Sequence, residues 1–239
     1  MISILFNSLL AQHKYGTAET LGIEYSALCD ELYGLVSQTS LAALSNLAIC
    51  YHNQKKFNLA SKLFVRLLQR QRTADLKPVD GLGLIENNEE FWLNMLSSMK
   101  ELAKTYFALD SKESSTVLFE EIAKSSATHL GASHERSLSS YSDLIILYQT
   151  IKKFDLAEAV AEQLVAISIR GKGEQHADTI LWMRNLSTIY MSGSREDKVE
   201  KAEGILLRVL NIQRQFLTER DDEIKQTISM LNELKQESE

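Results

Sequence analysis

The sequence holds one proline, Pro78, and only ten glycines in 239 residues. An all-β fold with many tight turns needs far more of both, so the shortage favours helices joined by short connections. There are two cysteines, Cys29 and Cys50. Both lie inside apolar helical patterns with no secretory signal ahead of them, which reads as small buried hydrophobes rather than a disulfide framework. No long apolar run is present. The opening Met1-Ile-Ser-Ile-Leu-Phe-Asn-Ser-Leu-Leu-Ala11 lacks a positive leading region and is too short to span a bilayer, so the expectation is a cytoplasmic protein. A concentrated basic face is missing as well. With a net charge of −6 the chain is poorly suited to a phosphate backbone, and its helices lack the basic polar face of a membrane-surface binder.

Catalytic signatures are equally scarce. The sequence contains no glycine-rich phosphate loop, no CxxC pair, no HExxH and no Gly-x-Ser-x-Gly. His129 and His134 are close in sequence but have no neighbouring cysteine or second ligand pair. Glu89-Glu90 and Glu120-Glu121 are adjacent carboxylates that a helix points to different faces. The expectation is therefore a protein that is not an enzyme, with no catalytic residues, no metal and no cofactor.

What the sequence does have is a repeat. Tyr106, Tyr148 and Tyr190 follow one another at 42 and 42 residues, and Tyr51 lies 55 before the first of them. Each closes a similar phrase: Leu47-Ala48-x-x-Tyr51, Leu102-Ala103-x-x-Tyr106, Leu144-Ile145-x-x-Tyr148, Leu186-Ser187-x-x-Tyr190. Phe57 and Phe154 come six residues after their tyrosines, and Ala60 and Ala157 nine after. The basic pairs Lys55-Lys56 and Lys152-Lys153 fall in matching turns, and Gly131-x-x-His134 matches Gly173-x-x-His176. Leucine, a small residue and tyrosine at offsets of three or four share one helix face. The small residue admits a neighbouring helix, and the tyrosine fills the gap beneath it. Each unit then reads as a helix hairpin that buries its apolar face only by stacking on the next. The glycines before His134 and His176 suit the positive-φ position that ends a helix, which makes these histidines helix-start residues.

Leu, small residue, Tyr, aromatic and Ala at this spacing resemble the tetratricopeptide repeat. The 42-residue period, with Gly-x-x-His between units and Leu-x-Asn-Leu-Ala-x-x-Tyr in the first helix, is similar to the kinesin light chain variety. The resemblance covers about residues 39–216 and is strongest around Tyr51, Tyr148 and Tyr190. It implies an all-α fold of stacked antiparallel helix hairpins in a right-handed superhelix, an α-solenoid. The expected organisation is a single repeat domain over 1–239: a partial repeat at 1–36, repeats at about 39–72, 89–130, 134–171 and 176–216, and a capping helix at about 219–236 whose single apolar stripe (Ile224, Ile228, Leu231, Leu234) suits a terminal position.

Departures from the pattern are local. Lys112 and Ser115 replace the aromatic and the alanine after Tyr106, and Leu9 stands where the first tyrosine belongs. An irregular stretch at 73–88 holds Pro78, Gly81 and Gly83, and extra residues occupy the last turn within 192–200. The partial first repeat suggests a chain that begins inside a larger protein.

By the resemblance, the first helix of each unit lines a concave groove that takes extended peptides or partner helices. The implied groove residues are Asn46, Ile49 and His52; Lys100 and Lys104; Asp143 and Ile146; and Arg184, Asn185 and Thr188. Asn46 and Asn185 each precede the repeat leucine, where family members use asparagine to hold a peptide backbone; a carboxamide offers donor and acceptor together. Bridging of neighbouring helices is the competing role for the same two residues. The expected function is a scaffold or adaptor with a protein or peptide partner, not a nucleic acid or membrane. The alternative is a structural or oligomerising arm of a larger protein, in which self-association fills the groove.

Overall fold

In the computed structural model the described residues are 2–75, 89–192, 196–216 and 221–237. They form eleven α-helices and no strand: α1 (Ile2–Ala11), α2 (Tyr15–Tyr33), α3 (Gln38–Asn53), α4 (Phe57–Asp75), α5 (Glu89–Ala108), α6 (Lys112–His129), α7 (Glu135–Thr150), α8 (Phe154–Lys172), α9 (Ala177–Met191), α10 (Glu196–Gln213) and α11 (Asp222–Glu237). Pro78, Gly81 and Gly83 lie outside the described residues, as does the tip of the last turn at 193–195. The chain divides into two compact units, Met1–His129 and Leu130–Glu239.

In the first unit, α1/α2, α3/α4 and α5/α6 are three hairpins, each helix packing on the next along the chain. The second unit stacks α7/α8, α9/α10 and the last helix α11 in the same way. Stacking works because the second helices present small residues. Ala18, Ala60 and Ser115 in the first unit, and Ala157 and Ala202 in the second, are all fully buried. Gly22 on α2 marks the tightest approach. A Cβ there would stand 2.7 Å from the Phe6 ring of α1 and 3.2 Å from Leu47 of α3, so three helices meet over a missing side chain. The first-helix leucines and tyrosines complete the core: Leu47, Leu102, Leu144 and Leu186 are buried, as are Tyr51, Tyr148 and Tyr190, while Tyr106 is half-buried.

The turns inside four of the hairpins, α1/α2, α3/α4, α5/α6 and α7/α8, are built the same way. His13, Lys55, Asp110 and Lys152 all adopt φ near +60°, and the residue after each donates its N–H to a carbonyl five residues back. The acceptors are Leu9, Tyr51, Tyr106 and Tyr148, at 2.8–2.9 Å. This is the backbone closure of a Schellman turn. The position of the recurrent tyrosine is thus a backbone position as well as a packing one, and Leu9 fills it without an aromatic ring. The two lysine pairs are solvated turns.

Connections between hairpins share a second device. Gly34, Gly131 and Gly173 take φ of 83°, 96° and 90°, and the residue three further on caps the next helix. Ser37 Oγ accepts the N–H of Ser40 at 3.2 Å. His134 Nδ1 accepts that of Arg136, and His176 Nδ1 that of Asp178, both at 3.1 Å. Gly34-x-x-Ser37 is therefore a third copy of the Gly-x-x-His connection, hidden in the sequence because serine replaces histidine. Cys29 and Cys50 are buried free thiols.

Candidate peptide-binding surfaces

In the first unit the expected groove residues lie on α3 and α5, and they do not act alike. Asn46 Nδ2 donates to Asn7 Oδ1 on α1 at 3.1 Å, a bridge between neighbouring first helices. The same residue lines a cleft of about 250 Å³ between α3, α4 and α5, together with Gln38, Ser45, Gln71, Asn94 and Ser97. Seven of the ten lining residues carry an amide or a hydroxyl. Gln71 Oε1 is buried and has no partner among the described residues. Gln38 Nε2 donates to Glu90 Oε1 of α5 at 3.1 Å.

His52 stands further along α3. Its Nδ1 is 2.9 Å from Thr105 Oγ1 on α5. The Thr105 hydroxyl donates to the Glu101 carbonyl at 2.7 Å, so His52 must carry its proton on Nδ1 and act as the donor. Burial holds the imidazole pKa below its ordinary value, with Lys104 acting in the same direction and Glu101 opposing. The ring also packs edge-on against Phe57, centroid to centroid 5.2 Å. Lys104 pairs with Glu101 one turn away on the same helix at 2.7 Å. Ile49 and Lys100 are half-buried on their helices and line none of the clefts.

In the second unit, Ile146 of α7 and Asn185 and Thr188 of α9 converge. They line a cleft of about 210 Å³ with Ser142, Gln149 and Trp182, floored by Ala161 and Leu164 of α8. Ile146 is 58% exposed, a large apolar side chain held at the cleft rather than in the core. Trp182 Nε1 is buried without a hydrogen-bond partner among the described residues. Asp143 takes no part in the lining. Arg184 turns the other way and donates from Nη2 to Gln226 Oε1 on α11 at 2.8 Å. Chemically, the cleft offers an apolar wall, a carboxamide and a hydroxyl within one small concavity. That suits a main-chain amide flanked by an apolar side chain.

Several polar residues at these surfaces escaped the sequence reading. Gln71, Asn94 and Ser97 sit on faces that the tyrosine frame assigns no role, and nothing in their spacing marks them. Arg70 and Asp30 form a forked ion pair between α4 and α2, Nη1–Oδ1 2.8 Å and Nη2–Oδ2 2.7 Å, with Arg70 buried. Lys198 of α10 is similarly buried against Glu158 of α8 at 2.6 Å. Among the described residues, no group of three or more His, Cys, Asp and Glu is arranged to hold a metal ion. No helix among them is long and apolar enough to cross a membrane.

Hairpins stacked on small residues, closed by one recurrent turn and joined by one recurrent cap, define a tetratricopeptide-like helical repeat fold. Solved structures share it. The nearly identical TPR-like repeats of a Podosopora anserina protein described as a kinesin light chain superpose with a TM-score of 0.66 at 21% identity, covering 92% of this chain and 96% of that one. BtubC (BKLC) from P. vanneervenii gives 0.60 at 18% identity, over 93% of this chain and 82% of its own. The C-terminal part of a TPR repeat-containing protein from Cytophaga hutchinsonii gives 0.54 at 13%, over 96% and 78%. At these identities the likeness is one of fold. No protein-family profile matches the sequence, and no curated protein matches it.

Proposed function

We propose that the chain is a protein-interaction scaffold, and that first-helix faces in each unit take a peptide or helix of a partner protein. The observation that carries this reading is the cleft of the second unit. There an exposed isoleucine, Ile146, stands beside the Asn185 carboxamide and the Thr188 hydroxyl, with the core complete beneath them. An exposed apolar anchor ringed by polar groups is the composition of an interface core rather than of a solvated helix face. Asn185 is exposed, which leaves its carboxamide for a peptide bond; in the first unit the matching role falls to Asn46 through the half of its carboxamide not given to Asn7. Ile49, His52, Lys100 and Lys104 would border the peptide in that unit, and Asp143 and Arg184 in the other.

Selection from a displayed library of random peptides, with the full chain immobilised, tests the reading. Peptides enriched on the wild type should lose about tenfold or more in affinity for an Ile146→Ala, Asn185→Ala variant, a loss of about 1.4 kcal/mol. Its helical content and melting temperature should stay near those of the wild type, because both side chains are exposed. Equal affinity for wild type and variant would remove this cleft from the working surface.

A further inference from the structure

Gln71 on α4 is only 6% exposed, and its Oε1 is closed to water and has no partner among the described residues. An amide oxygen desolvated in this way is destabilising until a donor reaches it. Gln71 also lines the cleft of about 250 Å³ between α3, α4 and α5, which has room for such a donor. Two other lining residues have already given protons away. Asn46 donates to Asn7 Oδ1, and the Ser98 hydroxyl donates to the Asn94 carbonyl, so each keeps an oxygen able to accept. Three helices thus each bring an acceptor to one cleft.

None of the lining residues is charged. An ammonium or guanidinium entering the cleft would shed water with no carboxylate in the wall to pair it. A carboxylate, which only accepts, would meet oxygen lone pairs. A carboxamide meets both conditions. It is neutral, it brings two N–H donors to the acceptors, and its carbonyl can take the Ser45 and Ser97 hydroxyls. Leu41, Ala42 and Leu67 supply apolar wall for the methylenes of a glutamine.

We infer that this cleft is a specificity pocket, read by Gln71, for the side-chain carboxamide of a glutamine in a bound partner peptide. The inference rests on the peptide-binding reading above, since Asn46 lines the same cleft and would hold the main chain from which that side chain enters. A small rotation about the last torsion of Gln71, which is soft at a carboxamide, brings its oxygen onto the incoming N–H. Glutamate, equal in size, leaves that oxygen without a donor, so the pocket separates the two by hydrogen bonding and not by shape.

The probes are two blocked amino acids, N-acetylglutamine methylamide and N-acetylglutamate methylamide, each titrated into the isotope-labelled full chain. The side-chain amide resonances of Gln71, Asn46 and Asn94 report binding, in about 0.15 M salt to screen the net charge of the chain. The glutamine compound should shift these resonances saturably, with an affinity on the order of millimolar, as suits so small a ligand. The glutamate compound should bind at least about fivefold more weakly. Gln71→Leu removes the acceptor and should erase that preference, read at Asn46 and Asn94. Gln71→Met, unbranched and closer in shape, replaces it if circular dichroism shows that the leucine variant does not fold. No saturable shift means that only water fills the cleft, and it overturns the inference. Equal binding of the two compounds, a preference for glutamate, or a preference that survives in the variant overturns it too. So does tighter glutamine binding by an Asn87→Ala, Asn88→Ala chain, which would give the cleft to the chain's own carboxamides. Ile146 and Asn185 are untouched by these substitutions, so this test and the library selection fail separately.

Discussion

Ser115 shows how narrow the tolerance is at a single repeat position. It occupies the site that Ala18, Ala60, Ala157 and Ala202 fill in the other second helices, and it is fully buried with its Oγ unpartnered among the described residues. A hydroxyl desolvated without a hydrogen bond costs about 1–3 kcal/mol, while the added volume over alanine is small. Ser115→Ala should therefore stabilise the chain by about 1 kcal/mol, raising the melting temperature by roughly 2–4 °C for a protein of this size. A fall on calorimetry would mean that the hydroxyl has a partner, a bound water for example. His52 is the opposite case, a half-buried side chain whose Nδ1 is engaged by Thr105. Its lowered pKa means the folded state resists protonation. The unfolded chain then binds more protons as pH falls below about 6.5, and stability declines in that direction.

At the scale of the element, the hairpin connections carry more information than the helices they join. Three glycines at positive φ set up three side-chain caps, and two of those caps are histidines. A capping side chain contributes roughly 0.5–2 kcal/mol relative to alanine. His134→Ala and His176→Ala should each lower the unfolding free energy, read from urea denaturation, by that amount, whereas His176→Ser should restore most of it, since a hydroxyl caps as Ser37 does. If serine and alanine behaved alike at position 176, the histidine would owe its place to packing instead. The paired turns are tuned less well: Lys55 and Lys152 hold left-handed backbone that glycine or asparagine adopts at lower cost. Their retention in both turns has no explanation in the contacts of either unit.

Across the whole molecule, stability is distributed over many similar joints, and the free thiols report on it. Cys29 and Cys50 are both buried in the first unit, so neither thiol meets solvent, and burial pushes the Cys50 thiol pKa up. Both should resist a thiol reagent in native buffer and react together as the first unit unfolds in urea. Labelling of one well before the other would reveal an opening confined to one hairpin.

The hairpin repeat was legible in the sequence because it rests on local physics: helical periodicity, a small residue at a fixed offset, and glycine where the backbone turns left-handed. These are properties of short stretches, and they recur in register, so the all-helical fold and the solvated lysine turns followed from spacing alone. The sequence also marked His134 and His176 as helix starts, though it hid the third cap behind Ser37. Tertiary structure decided everything that depends on which neighbour a side chain meets. Asn46 and Asn185 look alike in the chain, yet one bridges to Asn7 and the other is exposed at a cleft, because α1 lies beside the first. Arg184 reads as a groove cation but turns to Gln226. Arg70, which the tyrosine frame leaves unmarked, is buried on Asp30. Ile2 and Leu5 stand at the register of buried first-helix positions such as Leu44 and Leu47, yet they are exposed, since burial belongs to the neighbouring helix and not to the residue.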